Sequence, residues 1–285
     1  MNATTNPLAL VSADLATHIF PGSVNDGDTA YGLCLYRSPR DGKSYAFVSR
    51  DSSASTIAQL ELFDAGGGQV GWQRVRTIAL PDPRKVEGMV ADQELGWVYL
   101  AQEKVGLWKL PAEPSRANDA AVLLQRVKPN GAILASDIEG LCIYYTTNGA
   151  GYLLASGQGE NTFAVFTREG TNAWLGSFAI GANKPLGLDQ VTTCDGADVC
   201  PLALPGFAQG VLVVHDGEND GSVTPANTNF KLVPWENVAG AFTPALAVTP
   251  SSHDPRAPVN RLPARFDAIA YDPYGTVHLS LDDLN

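Results

Sequence analysis

Apolar residues in this chain come in short runs rich in Val, Leu, Tyr and Ala, each broken by a turn signal such as "DGK" at 41–43, "GGG" at 66–68, "NG" at 148–149 or "PYG" at 273–275. Long stretches with apolar residues at helical spacing are hard to find, so the pattern predicts strands and an all-β fold. One unit recurs: a small or acidic head, a glycine, an apolar strand, a turn and a second strand. It reads "YGLCLYRSPRDGKSYAFVSR" from Tyr31, "EGMVADQELGWVYLAQEK" from Glu87, "EGLCIYYTTNGAGYLLASGQ" from Glu139, "LGLDQ" from Leu186 leading to "GVLVVHDGEN", and "FDAIAYDPYGTVHLSL" from Phe266.

Heads at Tyr31, Glu87, Glu139, Leu186 and Phe266 lie 56, 52, 47 and 80 residues apart. A period of about 50 residues with about four strands per unit is the signature of propeller blades. The long last interval is read as an insertion around Cys194 and Cys200 followed by a Pro-rich loop from Pro244 to Pro263. The expectation is a single β-propeller domain over residues 1–285 with four blades and part of another, and with atypical segments at 1–30 and 240–285. Strands drawn from residues 1 to 30 would close it as a five-bladed ring and remove the open sheet edges.

The first strand of a propeller blade lines the central channel, so the heads converge near one mouth. Tyr31, Glu87, Asp137, Glu139, Asp189 and Asp267 are therefore expected to share a site. In "DIEGL" strand alternation would put Asp137 and Glu139 on one face. Carboxylates gathered this way raise one another's pKa unless a cation sits among them, and Ca²⁺ takes six to eight oxygen ligands. Acids that merely accept hydrogen bonds at strand ends are the plainer alternative. The repeated Glu-Gly heads, with "GQGEN" at 157–161 and "HDGEND" at 215–220 after second strands, favour the metal.

Composition narrows the field. The 285 residues are 45% hydrophobic and 17% charged, enough for a large core and too little charge for disorder. A net charge of −11, from 30 acids and 19 bases with no basic run, argues against nucleic acid or an anionic membrane as partner. The N-terminal stretch lacks a basic n-region, and Asp14 interrupts its apolar residues, so neither a signal peptide nor a transmembrane helix is read there. Cys194 and Cys200 suggest a local disulfide, whereas Cys34 and Cys142 sit in apolar runs and read as core. Trp97, Trp108 and Trp235 read as packing residues in strands, and His215 as a solvent-edge or core residue. No Ser-His-Asp order and no "GxSxG" stand out.

Three strings carry a specific resemblance: "KVEGMVADQELGWVYLAQEKVGLWKLPAEP", "ASDIEGLCIYYTTNGAGYLLASGQGENTFAVFTREG" and "GVLVVHDGEND" followed by "NFKLVPWENVA". Together with "YGLCLYRSPRDGKSYAFVSR", they make the chain similar to the calcium-dependent β-propeller phytases from Tyr31 to Ala239. The resemblance implies a six-bladed fold, of which this chain holds about four blades and a terminal piece. It implies hydrolysis of phytate, myo-inositol hexakisphosphate or its calcium salt, by a 3-phytase-type phosphomonoesterase that is secreted or periplasmic and acts as a monomer.

By the same resemblance, Glu87, Glu103, Asp137, Glu139 and Gln158 match ligands of a cluster of several Ca²⁺ ions. Tyr31 matches a channel tyrosine, and Arg50 stands where the family has a phosphate-contacting Lys. Asp216 and Asn229 fall in the region that supplies a more structural calcium site. Glu87 and Glu139, with Tyr31 and Arg50, are the residues expected to serve catalysis. The ions would neutralise substrate phosphates and activate a water for in-line attack. No counterpart of the family's "DDPAIW" motif precedes Tyr31. A non-catalytic propeller that binds calcium or inositol phosphate is the alternative reading, and a calcium-propeller lactonase a third.

Overall fold

The computed structural model describes residues 30–51, 56–116, 120–146, 149–219 and 228–248, and the backbone at 270–271 and 277–278. Each turn signal reverses the chain between apolar runs, and the recurring unit folds as an antiparallel meander. The first sheet holds β1 (Ala30–Arg37), β2 (Ser44–Arg50), β3 (Thr56–Gly66) and β4 (Gln69–Ala79). The second holds β5 (Val86–Asp92), β6 (Trp97–Gln102), β7 (Gly106–Pro111) and β8 (Val122–Arg126). The third holds β9 (Ile138–Tyr145), β10 (Gly151–Gly157), β11 (Thr162–Thr167) and β12 (Trp174–Phe178). The fourth has β13 (Ala197–Cys200), β14 (Val211–Asp216) and β15 (Asn229–Pro234), and a short pair, β16 (Ala270–Tyr271) and β17 (Val277–His278), lies further on. The fold is all-β with propeller-blade sheets. Ring closure by the N-terminal segment and the placement of Asp267 lie outside the described residues.

Period-two alternation builds a dry layer between each pair of consecutive sheets. On β6, Val98 and Leu100 face the first sheet with Phe47 and Ile57, whereas Tyr99 and Ala101 face the third with Ile143 and Phe166. A third layer joins Phe163 and Val165 to Val199, Leu212 and Trp235. Full burial of one large apolar side chain stabilises by ~1.5–3 kcal/mol, so these layers dominate cohesion. Trp235 opens the short helix α1 (Trp235–Gly240) rather than lying in a strand, and stacks on Tyr144 at 3.9 Å. Among the described residues, no helix is long and apolar enough to cross a membrane.

First strands of successive sheets lie side by side, β1 against β5, β5 against β9 and β9 against β13. The head glycine permits this approach: a Cβ at Gly32 would lie 2.0 Å from the Glu87 carbonyl oxygen, and one at Gly88 1.7 Å from that of Glu139. The pairing register also slips at Tyr31–Gly32, Glu87–Gly88 and Glu139–Gly140, so β1, β5 and β9 are each bulged at the head. A bulge lifts a side chain out of the ladder and re-aims it.

The fourth head is not "LGLDQ". Lys184–Leu186 is a single 3-10 turn with Leu186 exposed. The strand that packs on β9 is β13, inside "CDGADVC", and its head pair is Asp195–Gly196. The heads at Tyr31, Glu87, Glu139 and Asp195 are then spaced 56, 52 and 56 residues apart. A stretch read as an insertion is thus the inner strand of a blade, missed because four residues with an exposed Asp198 carry little apolar signal. All four cysteines are free. Cys194 precedes β13 and its thiol donates to the Gly196 carbonyl, whereas Cys200 ends the strand.

Candidate active site at the blade heads

The starts of first strands and the ends of second strands lie at one end of the sheets, where most of the predicted site residues meet. Tyr31 Oη donates to Glu87 Oε2 at 3.0 Å. Arg50 ends β2 and pairs in register with Ala30, beside that tyrosine. Ser49, one residue earlier, accepts from Gly32 N–H at 2.8 Å and donates to the Val86 carbonyl at 2.5 Å, tying the first head to the second. Ser156 repeats the device two sheets further, donating to the Cys194 carbonyl at 3.4 Å just before Asp195.

Glu139 is 5% exposed, and its pKa is pushed up to about 10 by burial first, then by its hydrogen bond to Glu87 and by the charges of Glu87, Glu103 and Asp195. Its Oε2 is buried with no hydrogen-bond partner among the described residues. Glu103 is raised as well, by burial and then Glu87, with Lys85 and Lys104 opposing. The Tyr31 phenol is raised by burial, then by Glu87, Glu103 and Glu139, so it stays protonated. These shifts place four carboxylates within electrostatic reach of one another.

Asp137 and Glu139 do not share a strand face. β9 begins at Ile138, and Asp137 has φ 56, so strand parity stops one residue short of it. Its carbonyl accepts from Gln158 N–H at 2.9 Å, and its carboxylate lies 3.8 Å from Lys104 Nζ. Gln158 donates its side-chain amide to Asp195. Sequence reasoning missed Asp195, although the "DG" at 195–196 repeats the head pattern at the correct interval. It also set His215 aside, whose Nδ1 lies 3.6 Å from Asp195 Oδ2.

The other predicted positions form a separate group on the fourth sheet. Asp216 is fully buried; one carboxylate oxygen accepts from Thr192 N–H at 2.9 Å and the other from Lys231 Nζ at 2.5 Å. Lys231 also pairs with Asp189 at 2.6 Å, so Asp189 is engaged here and not at a head. Asn229 faces Asp216 across the β14–β15 ladder.

The donor set at the heads is all oxygen, from carboxylates, an amide and a phenol, which suits a hard cation. The orphaned Glu139 oxygen and the mutual repulsion of the acids are what an added positive charge would relieve. Among the described residues, no three such acids close on a single point; Glu87 and Glu139 bond each other instead.

The model of the phytase family matches residues 18–261. The 3-phytase of Bacillus subtilis (strain 168) is 39% identical over 210 residues, which cover 73% of this chain and 53% of that protein. The chain therefore spans about half the length of that relative. Of solved structures, a bifunctional GH43-CE protein of Bacteroides eggerthii aligns with a TM-score of 0.46 at 13% identity, covering 77% of this chain and 26% of that one. The C-terminal WD40 domain of Sif2 aligns with a TM-score of 0.36 at 11% identity, covering 72% and 50%.

Proposed function

The chain belongs to the phytase family, and from that premise we propose that the blade heads hydrolyse phosphate monoesters of phytate with the help of bound calcium. The observation that carries this reading is the buried Glu139 carboxyl, its Oε2 without a hydrogen-bond partner among the described residues, beside Glu87, Glu103 and Asp195. A protein with no use for a cation there has no reason to bury an acid beside three others.

Glu87, Glu103, Glu139 and Asp195 would hold the ions, with Asp137 and Gln158 at the edge of the group. When bound, Ca²⁺ would neutralise phosphoryl oxygens and lower the pKa of an attacking water. Tyr31, kept as a phenol, can donate to a phosphoryl oxygen once Glu87 turns to a metal. Arg50 offers a planar fork that matches two phosphate oxygens. Gln158 holds Asp195 in place, and His215 lies beside it. A monomer, secreted or periplasmic, acting on calcium phytate fits this reading.

The test is phosphate release from calcium phytate at neutral to alkaline pH, with and without EDTA, beside Glu139→Ala. Release that EDTA and Glu139→Ala both abolish is expected. Release insensitive to EDTA would overturn the calcium mechanism, and a folded, calcium-loaded protein that releases none would leave only a binding role.

A further inference from the structure

We infer that Lys85 and Lys104 form a cationic rim that holds the substrate phosphates not being cleaved, an inference that rests on the phosphomonoesterase reading above. Lys85 immediately precedes β5, and its carbonyl accepts from Glu103 N–H at 3.0 Å, which fixes the two residues side by side. Its Nζ sits 4.8 Å over the Tyr31 ring and 2.5 Å from Asp51. Lys104 follows Glu103 in the turn between β6 and β7 and reaches towards Asp137 at 3.8 Å. The two ammonium groups therefore flank Glu103, one towards the first sheet and one towards the third.

Neither lysine is committed to its present partner. Their side chains are 39% and 57% exposed, and ion pairs at such exposure are weak enough for a phosphate dianion to displace the aspartate. Lys104 also occupies a left-handed backbone position, φ 58, which Asn or Gly holds at lower cost. A turn shaped for stability alone would carry one of those. A lysine there instead projects a charge above the acidic floor. Lys binds phosphate as a flexible point charge, which suits a ring whose several phosphates present in different orientations.

The experiment compares calcium-loaded wild type with Lys85→Gln and Lys104→Asn, reading phytate KM and kcat, melting temperature, and calorimetric affinity for inositol hexasulfate. KM and the hexasulfate Kd are expected to rise about tenfold in each variant with kcat within about twofold. Lys104→Asn should melt at or above wild type. Unchanged KM and Kd in both variants would overturn the rim while leaving the hydrolase standing. A lowered melting temperature in Lys104→Asn, tracking the loss of affinity, would also overturn it, because the lysine would then be structural. If wild type binds hexasulfate but releases no phosphate, the hydrolase reading falls and the rim is judged on Kd alone. Wild type that binds neither ligand takes both down.

Discussion

Gln158, at the end of the third sheet's second strand, donates its amide to the carboxylate of Asp195, the head of the fourth sheet. The bond spans 37 residues of sequence and joins two blades at their heads. Because Asp195 also bears on Glu139 electrostatically, its removal should be felt beyond its own blade. Asp195→Ala is expected to weaken calcium binding at least tenfold by calorimetry. An unchanged affinity would separate Asp195 from the metal group.

Calcium-free protein should lose stability as pH rises. Glu139 keeps its proton to about 10 in the native state but releases it in the ordinary carboxylate range when unfolded. The native state therefore binds more protons between those limits, and stability falls by up to ~1.4 kcal/mol per pH unit. Melting temperature in EDTA should drop from pH ~5 to ~9, Glu139→Gln should flatten the slope, and added calcium should reverse it by replacing the proton. A flat wild-type profile in EDTA would contradict this.

Gly88→Ala tests the close approach of first strands. Its Cβ would fall 1.7 Å from a backbone oxygen that cannot yield without moving Glu139. Overpacking of this kind costs ~3 kcal/mol or more, measurable by urea unfolding, with calcium affinity lost in parallel. Gly181→Ala, whose Cβ would meet open space, should leave both unchanged.

At the opposite end of the sheets, Arg168 grips Asp92 through two bonds of 2.6 and 2.7 Å with both side chains fully buried. The Arg168 guanidinium also lies 4.4 Å from the centre of the Tyr145 ring. Arg168→Met leaves a buried carboxylate unpaired and should cost ~3–5 kcal/mol in chemical denaturation. Asp92→Asn combined with Arg168→Met should recover part of that loss. Additive losses would mean the two do not act as a pair.

Much of the fold was legible because strands buried on both faces leave long apolar runs between turn signals. Head glycines marked three of the four blade heads. The fourth was hidden because β13 is short and carries Asp198 outward, while "LGLDQ" imitated a head without a strand behind it. Asp137 was misjudged for a related reason: strand parity was carried one residue past the start of β9. Lys85 and Lys104 drew no notice, since single lysines have no spacing to recognise.

The sequence by itself determined that the chain is built of repeated antiparallel blades, and that Tyr31, Glu87 and Glu139 sit at equivalent heads. Both follow from local periodicity and turn chemistry, which act within a few residues. Only the tertiary structure decided that Asp195, His215, Lys85 and Lys104 join those heads while Asp189 and Asp216 close around Lys231. Packing of one sheet on the next sets those distances, and residues dozens of positions apart carry no mutual signal until the blades are stacked.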